Sequence, residues 1–196
     1  MKGLFTLAFS LFLLVAAAQD ATMYPAGLKV GDKAPLFKVT DQSGKIFSLE
    51  KELKKGDVVV VFYRGQWCPY CNKQLGKIND SLALITAKGA SVIAVSPETA
   101  ENVTKTVTKT KASFPVVSDK DLSISKAYKV NYNVEGSLLD TYKKYKIDFT
   151  AANGSNGNVL PVPATYIIGK DGIIKYVFFN TDYKQRASVK EILANL

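Results

Sequence analysis

Cys68 and Cys71 are the only cysteines in the chain, and their types and spacing are suited to chemistry. They stand in the segment WCPYC at residues 67–71, between an apolar run and a helical pattern. A cysteine at the start of a helix faces unpaired backbone N–H groups and the positive end of the helix dipole, which favour the thiolate. Arg64 and Lys73 add positive charge nearby. The pattern predicts a redox pair that cycles between two thiols and a disulfide.

The rest of the composition leaves few other uses for this pair. The chain contains no histidine, which excludes a Cys-His protease, a Ser-His-Asp hydrolase and any histidine metal site. Two cysteines cannot supply the four ligands of a structural zinc ion, so we expect no metal and no cofactor. A disulfide ring this short removes little chain entropy and would stabilise the domain weakly. A non-catalytic binding module with a structural disulfide stays open as a third hypothesis.

A second feature is the segment LPVPATY at residues 160–166, which runs into a strand pattern. Pro163 has no N–H to donate to a neighbouring strand, so it marks the start of a strand. A cis peptide bond at this proline would hold the backbone close to the sulfurs and leave groups free for a substrate. A cis Pro163 facing the cysteine pair is thus one interpretation, and an ordinary proline at the start of a strand is the alternative.

The elements that must position these residues follow from apolar periodicity. Residues 58–63 form a continuous β-branched and aromatic run that suits a central strand covered on both faces. Apolar residues recur at helical spacing over 70–88. Further strands are expected at 36–39, 46–48, 91–95, 114–117, 164–168 and 173–179, and further helices at 49–54, 97–109, 119–128 and 188–196. This order predicts an α/β protein with a central mixed sheet, helices on both faces and an insertion near 131–158.

The start of the chain has the pattern of an export signal. A lysine precedes an apolar run at 4–15, and small residues follow at 16–18. We predict a signal peptide at 1–18, a loose lead-in at 19–30 and one redox domain at 31–196, exported to the periplasm or the cell exterior. The run is shorter than the ~20 residues of a membrane span, which favours a cleaved signal over an uncleaved anchor. No other segment is apolar enough to cross a bilayer, so no membrane association is expected after removal of the signal. The net charge of +9 comes from lysines scattered among acids, which argues against a nucleic-acid partner.

Together these features resemble the peroxiredoxin-like branch of the alkyl hydroperoxide reductase/thiol-specific antioxidant (AhpC/TSA) family, within the thioredoxin superfamily. The resemblance covers roughly residues 31–196, and its motifs lie at 60–71, 160–168, 171–174 and 182–186. It implies a thioredoxin-like fold with an added N-terminal β-hairpin and an antioxidant thiol oxidoreductase activity. Within the last motif, the spacing of Asp182 and Arg186 predicts a surface or local ion pair. The alternative is a role near the active site, because the resemblance includes this run.

The resemblance implies two competing chemistries, of which the first is peroxide reduction. Peroxiredoxins carry a Pro and a Thr before the peroxidatic cysteine and a distant Arg that helps to bind the peroxide. Here those positions hold Arg64, Cys68 and Pro163, and the peroxidatic position is Cys71. Arg64 would supply a substitute positive charge, and Cys68 would resolve a sulfenate on Cys71 into an intramolecular disulfide.

The alternative chemistry is thiol–disulfide exchange with protein disulfides. As in a thioredoxin, Cys68 would be the exposed attacking thiolate, Cys71 the buried resolving thiol and Pro163 the cis proline. Under either hypothesis we predict substrate contacts at Arg64, Trp67 and Pro163. An external thiol reductant, such as a thioredoxin-like protein, would restore the pair.

Overall fold

A computed structural model describes residues 24–196 of the chain. The predicted signal peptide at 1–18 and the first residues of the lead-in lie outside this part. Within residues 24–196, none of the helices has the length and apolar character that crossing a membrane requires.

The described residues alternate between strands and helices. The strands are β1 (Lys38–Thr40), β2 (Ile46–Ser48), β3 (Val58–Phe62), β4 (Ser91–Ser96), β5 (Val116–Ser118), β6 (Asn131–Asn133), β7 (Val159–Pro161), β8 (Ala164–Ile168) and β9 (Ile174–Phe179). The helices are α1 (Leu49–Leu53), α2 (Pro69–Asp80), α3 (Leu82–Ala87), α4 (Ala100–Thr110), α5 (Ser123–Ala127), α6 (Gly136–Lys144), α7 (Phe149–Asn153) and α8 (Val189–Ala194), with a 3₁₀ turn at Gly154–Asn156.

The central sheet has the strand order β5-β4-β3-β8-β9. Strands β3, β4 and β5 are parallel, whereas β8 and β9 add in antiparallel fashion. Val59 and Val61 of β3 pack with α2, α4 and α8 on one face, and Val58 and Val60 pack with α1 and α5 on the other. This confirms the predicted mixed sheet with helices on both faces, and β3 is buried along its whole length.

The predicted N-terminal β-hairpin is confirmed by the antiparallel pairing of β1 with β2. The Asp41 carboxylate closes its turn by accepting hydrogen bonds from the backbone N–H groups of Ser43 and Lys45 at 2.8 and 2.9 Å. The capping box at the start of α8 is also present, because Ser188 and Glu191 each bond the other's backbone N–H.

The prediction of one continuous helix over 70–88 is wrong. Helix α2 ends at Asp80, and Ser81 has a non-helical backbone with φ −109° and ψ 10° before α3 begins. The cause lies in the segment 79–81, whose Asn, Asp and Ser favour side-chain bonds over helical ones. The Asn79 Oδ1 accepts the backbone N–H of Ser113 at 2.9 Å, which links the end of α2 to the segment after α4.

The segment predicted as an insertion, 131–158, packs against the start of α2. Strand β6 pairs antiparallel with β7, and α6 and α7 lie between them in the chain. Tyr142 of α6 and Phe149 of α7 belong to a third apolar cluster, on which Trp67 packs. The segment therefore forms one wall beside the cysteine pair.

Candidate active site

Strand β3 and helix α2 bring the two cysteines together. Cys68 is the N-cap of α2, and its Sγ accepts the backbone N–H of Cys71 at 3.4 Å. Pro69 occupies the first helical turn, where its missing N–H has no partner to lose. Both cysteines are free thiols and both are 0% exposed. The exposed Cys68 that the thioredoxin-like alternative implies is therefore not found, because arginine and aromatic side chains cover it.

Arg64 is the first covering side chain, and it is itself buried. Its Nη2 donates to the Cys68 Sγ at 3.2 Å, and its Nη1 donates to the hydroxyl of Tyr142. The guanidinium carbon lies 3.9 Å from the ring centroid of Tyr183 and 4.9 Å from that of Trp67, within cation–π range. Burial lowers the pKa of Arg64, but its electrostatic interactions with the cysteine pair and with Tyr142, and its hydrogen bond to Cys68, outweigh burial and raise that pKa. The structure thus places the Arg64 guanidinium, the predicted substitute positive charge, in contact with the Cys68 sulfur.

A second arginine reaches the pair from residues 180–187, which join β9 to α8 and are called the cover segment below. The Nη2 atom of Arg186 lies 3.4 Å from the Sγ of Cys71 and 3.9 Å from that of Cys68. Its Nη1 donates to the carbonyls of Tyr183 and Gln185. The predicted ion pair with Asp182 is wrong, because the Arg186 side chain turns inward.

The cover segment also closes the site from the solvent side. Tyr183 lies over the Arg64 guanidinium, and its ring packs edge-on against Tyr70 at a centroid distance of 5.8 Å. Tyr70 and Tyr183 are 38% and 36% exposed, so this pair of rings lies at the protein surface. Because both sulfurs are 0% exposed, a substrate reaches them only when side chains around them move.

The two thiols differ in pKa. The hydrogen bond with Cys71 and burial raise the pKa of Cys68. Burial also acts to raise the pKa of Cys71, but the Cys68 thiol, Arg186 and Arg64 together lower it well below its usual value. Cys71 is therefore the more acidic thiol of the reduced pair.

Of the other predicted site residues, Trp67 lies beside Arg64 of the site, and Pro163 contacts the start of the cover segment. The Trp67 ring packs edge-on against Tyr142 and Phe149 at centroid distances of 5.7 and 6.0 Å. Pro163 is buried between β7 and β8, and its carbonyl accepts the backbone N–H of Asn180 at 3.4 Å, which fixes the start of the cover segment.

The prediction of a cis bond at Pro163 is wrong, because every peptide bond in the described residues is trans. The chain continues from β7 into β8 with extended pairing on both sides and needs no tight turn there. Nothing then offsets the intrinsic trans preference of an X-Pro bond, about 0.5–1 kcal/mol.

Three side chains of the site had no assigned role in the sequence: Tyr142, Tyr183 and Glu98. Glu98 follows β4 and is fully buried, with its carboxylate accepting the backbone N–H of Gln66 at 2.6 Å. Arg186 had one usable signal, because it lies in a motif of the resemblance. The others contact the site only through tertiary structure.

Comparison with known proteins finds relatives of two kinds. Residues 30–177 match the sequence profile of the AhpC/TSA family. The chain is 28% identical over 163 residues to the chloroplastic peroxiredoxin Q of Oryza sativa subsp. japonica, covering 83% of this chain and 64% of that protein. It is 31% identical over 137 residues to a thiol-disulfide oxidoreductase ResA of Bacillus cereus, covering 66% of this chain and 78% of that protein. The chain thus spans less than two thirds of the rice protein.

Solved structures share the architecture at low sequence identity. Peroxidoxin BcpB from Mycobacterium tuberculosis matches with a TM-score of 0.64 and 22% identity, over 86% of this chain and 96% of that chain. A mutant of PrxQ from Xylella fastidiosa matches with a TM-score of 0.65 and 18% identity, over 85% and 94% respectively. These likenesses confirm the predicted thioredoxin-like fold.

Proposed function

The chain belongs to the AhpC/TSA family, and from this premise we propose that it reduces hydroperoxides through a thiol–disulfide cycle of Cys68 and Cys71. The Cys71 thiolate attacks the terminal oxygen of a hydroperoxide, the O–O bond breaks, and Cys71 becomes a sulfenic acid as an alcohol leaves. The Cys68 sulfur then attacks the Cys71 sulfur, water leaves, and a disulfide forms. An external thiol reductant, of the kind a thioredoxin-like protein provides, restores the thiols by exchange.

The main support for this proposal is that each of the two cysteine sulfurs is contacted by an arginine guanidinium. Arg64 lies 3.2 Å from the Cys68 Sγ and Arg186 lies 3.4 Å from the Cys71 Sγ. A guanidinium presents several N–H donors in a fixed plane, so it can stabilise a thiolate and the oxygens of a bound peroxide together. Arg64 and Arg186 would therefore bind the peroxide in this chain, in which other residues replace the family's usual Pro, Thr and Arg.

The alternative, exchange with protein disulfides, is supported by the ResA relative and by the place of Cys68 at the helix N-cap. The burial of both sulfurs favours the peroxide instead. A small hydroperoxide would reach a buried sulfur with a smaller movement of the covering side chains than a protein disulfide would. Trp67 and Pro163 then act as walls of the peroxide site.

The test follows sulfenic acid formation with a dimedone-type probe. Reduced Cys68→Ser and Cys71→Ser proteins are mixed with equimolar hydrogen peroxide, and the modified residue is located by mass spectrometry. We expect rapid labelling of Cys71 in Cys68→Ser and slow labelling of Cys68 in Cys71→Ser. If neither variant reacts faster than a free thiol, the peroxidase proposal is wrong. Capture of mixed disulfides with other proteins by Cys71→Ser would then support the exchange function.

The proposal includes export of one redox domain at 31–196 after removal of residues 1–18. It is supported by the charged start, apolar run and small residues of the first segment. N-terminal sequencing of the protein from its native source should find a chain that begins near residue 19.

A further inference from the structure

The segment 131–158 contains a cavity to which the proposed cycle gives no role. Its volume is about 510 Å³, and it lies between the end of α6 and the start of α7. Its lining includes three apolar and three charged side chains, namely Leu139, Ile147 and Phe149 with Lys143, Lys146 and Asp148. Sites for small molecules are typically cavities of about 300–1,000 Å³ that combine apolar side chains with a few charged or polar groups. The cavity therefore has the size and the mixed lining of a ligand site.

The turn that ends α6 holds the lysine side of this cavity in place. The backbone N–H of Ile147 donates to the Tyr142 carbonyl at 3.1 Å, and that of Lys146 donates to the Lys143 carbonyl at 2.8 Å. This pair of bonds is a Schellman motif, which needs a left-handed residue after the helix. Lys146 takes that conformation, with φ 57°. The backbone at both lysines is thus fixed by hydrogen bonds.

The charges of the lining leave an excess of positive charge. Within residues 24–196, Lys146 has no carboxylate within ion-pair distance. Lys143 lies 3.8 Å from Asp140, but both side chains are largely exposed, and such pairs contribute little. Asp148 is the one acidic side chain among the described residues of the lining. Its Oδ1 accepts two backbone N–H groups at the start of α7, at 2.8 and 3.1 Å. The two ammonium groups are therefore open to an added anion.

We propose that this cavity binds an amphipathic carboxylate, such as a medium-chain fatty acid. Its head would pair with Lys143 and Lys146, and its chain would cover Ile147 and Leu139, which are half-buried, and the wall formed by Phe149. An inorganic anion would leave this apolar surface in water, and a neutral apolar molecule would leave both ammonium groups without a partner. The inference goes beyond the proposed function, and none of its tests uses peroxide.

Phe149 joins the cavity to the redox site. Its ring packs edge-on against Trp67 and Tyr142, at centroid distances of 6.0 and 5.2 Å. The Tyr142 hydroxyl accepts from Arg64, which in turn contacts the Cys68 sulfur. A ligand against Phe149 would lie one ring away from Trp67, the only tryptophan of the chain. Tryptophan fluorescence therefore reports occupation of the cavity.

The first experiment titrates the wild-type protein with carboxylates of increasing chain length. Fluorescence of Trp67 and isothermal titration calorimetry both follow binding. We expect saturable binding of decanoate, with a Kd that falls about two- to fourfold for each CH₂ added from hexanoate to decanoate. Acetate, which has no chain to bury, should not bind over the same concentrations. Absence of saturable decanoate binding by both methods would overturn the proposal.

The second experiment tests the sign of the charge. Decyltrimethylammonium has a chain of the same length as decanoate but a positive head group. Because like charges in contact are unfavourable, it should bind at least about tenfold more weakly than decanoate. Equal affinities would show a general affinity for amphiphiles and would overturn the proposal.

The third experiment uses variants that keep the fold. Glycine suits the left-handed backbone at Lys146, so Lys146→Gly removes the ammonium group without strain. Lys146→Gly and Lys143→Gln should each raise the Kd for decanoate about two- to fivefold, as the loss of an exposed ion pair does, and together about four- to twentyfold. Lys144→Gln is the matched control, because it removes the same charge from α6 at a side chain outside the lining. A urea titration of each variant checks folding, and an equal loss of affinity in Lys144→Gln and Lys146→Gly would overturn the assignment of the head group to this cavity.

Discussion

Replacing Arg186 by glutamine should weaken the Cys71 thiolate strongly. The variant keeps a polar side chain but removes the positively charged guanidinium, whose Nη2 atom lies 3.4 Å from the Cys71 Sγ. A hydrogen bond to a charged group contributes about 1.5–3 kcal/mol. Since a tenfold change in an equilibrium constant corresponds to about 1.4 kcal/mol, the ratio of thiolate to thiol at a given pH should fall by between about tenfold and a hundredfold. Arg64 stays on Cys68 and limits the effect.

The assay follows the ultraviolet absorbance of the thiolate against pH in the reduced protein, together with the rate of alkylation by iodoacetamide. Lys184→Gln is the matched control, because it removes the same charge from the same cover segment at an exposed side chain. We expect the Lys184→Gln titration to follow the wild type and the Arg186→Gln titration to move to higher pH. Coincident titrations of the two variants would refute the assignment of Arg186 to the cysteine pair.

Two further predictions concern the walls of the site. Tyr142→Phe removes the hydroxyl that accepts from buried Arg64 and should lower the free energy of unfolding by about 1.5–3 kcal/mol, whereas Tyr145→Phe, at a side chain 73% exposed, should be neutral in the same urea titration. Gly65→Ala places a Cβ 2.5 Å from a neighbouring indole nitrogen and should cost about 1–3 kcal/mol. Gly76→Ala is the control, because a Cβ added at this helical glycine has its nearest contact at 4.0 Å and should not destabilise the protein. An equal loss of unfolding free energy in Gly65→Ala and Gly76→Ala would contradict the packing argument.

The sequence predicted what depends on local pattern. The β-branched run of β3, the turn at Asp41 and the capping box at Ser188 each specify their structure through neighbours a few residues away. The cysteine pair at a helix start is of the same kind, because the N-cap position of Cys68 follows from the strand before it and the helix after it. Their conformations therefore follow from periodicity and capping.

The contacts that give the pair its chemistry could not be read this way. Arg186 and Cys71 are 115 positions apart in the chain, and Arg64 and Tyr142 are 78 apart. Such pairs meet only after the sheet and the 131–158 segment are in place. The same cause explains why Cys68 is not exposed as the thioredoxin-like alternative implies. A helix start alone leaves a thiol exposed, whereas Arg64 and the cover segment bury it here.

The place of Cys68 gives a physical reason for the division of labour between the sulfurs. The resemblance puts Cys68 where peroxiredoxins have a threonine, a residue that can donate a hydrogen bond. A thiol can also donate, though weakly, and the bond from Cys68 is one of the interactions that lower the pKa of Cys71. In this position a cysteine can stabilise the neighbouring thiolate before attack and then join to its oxidised sulfur, which a hydroxyl cannot do. The two-residue spacing of the pair therefore suits a cycle in which Cys71 reacts first and Cys68 second.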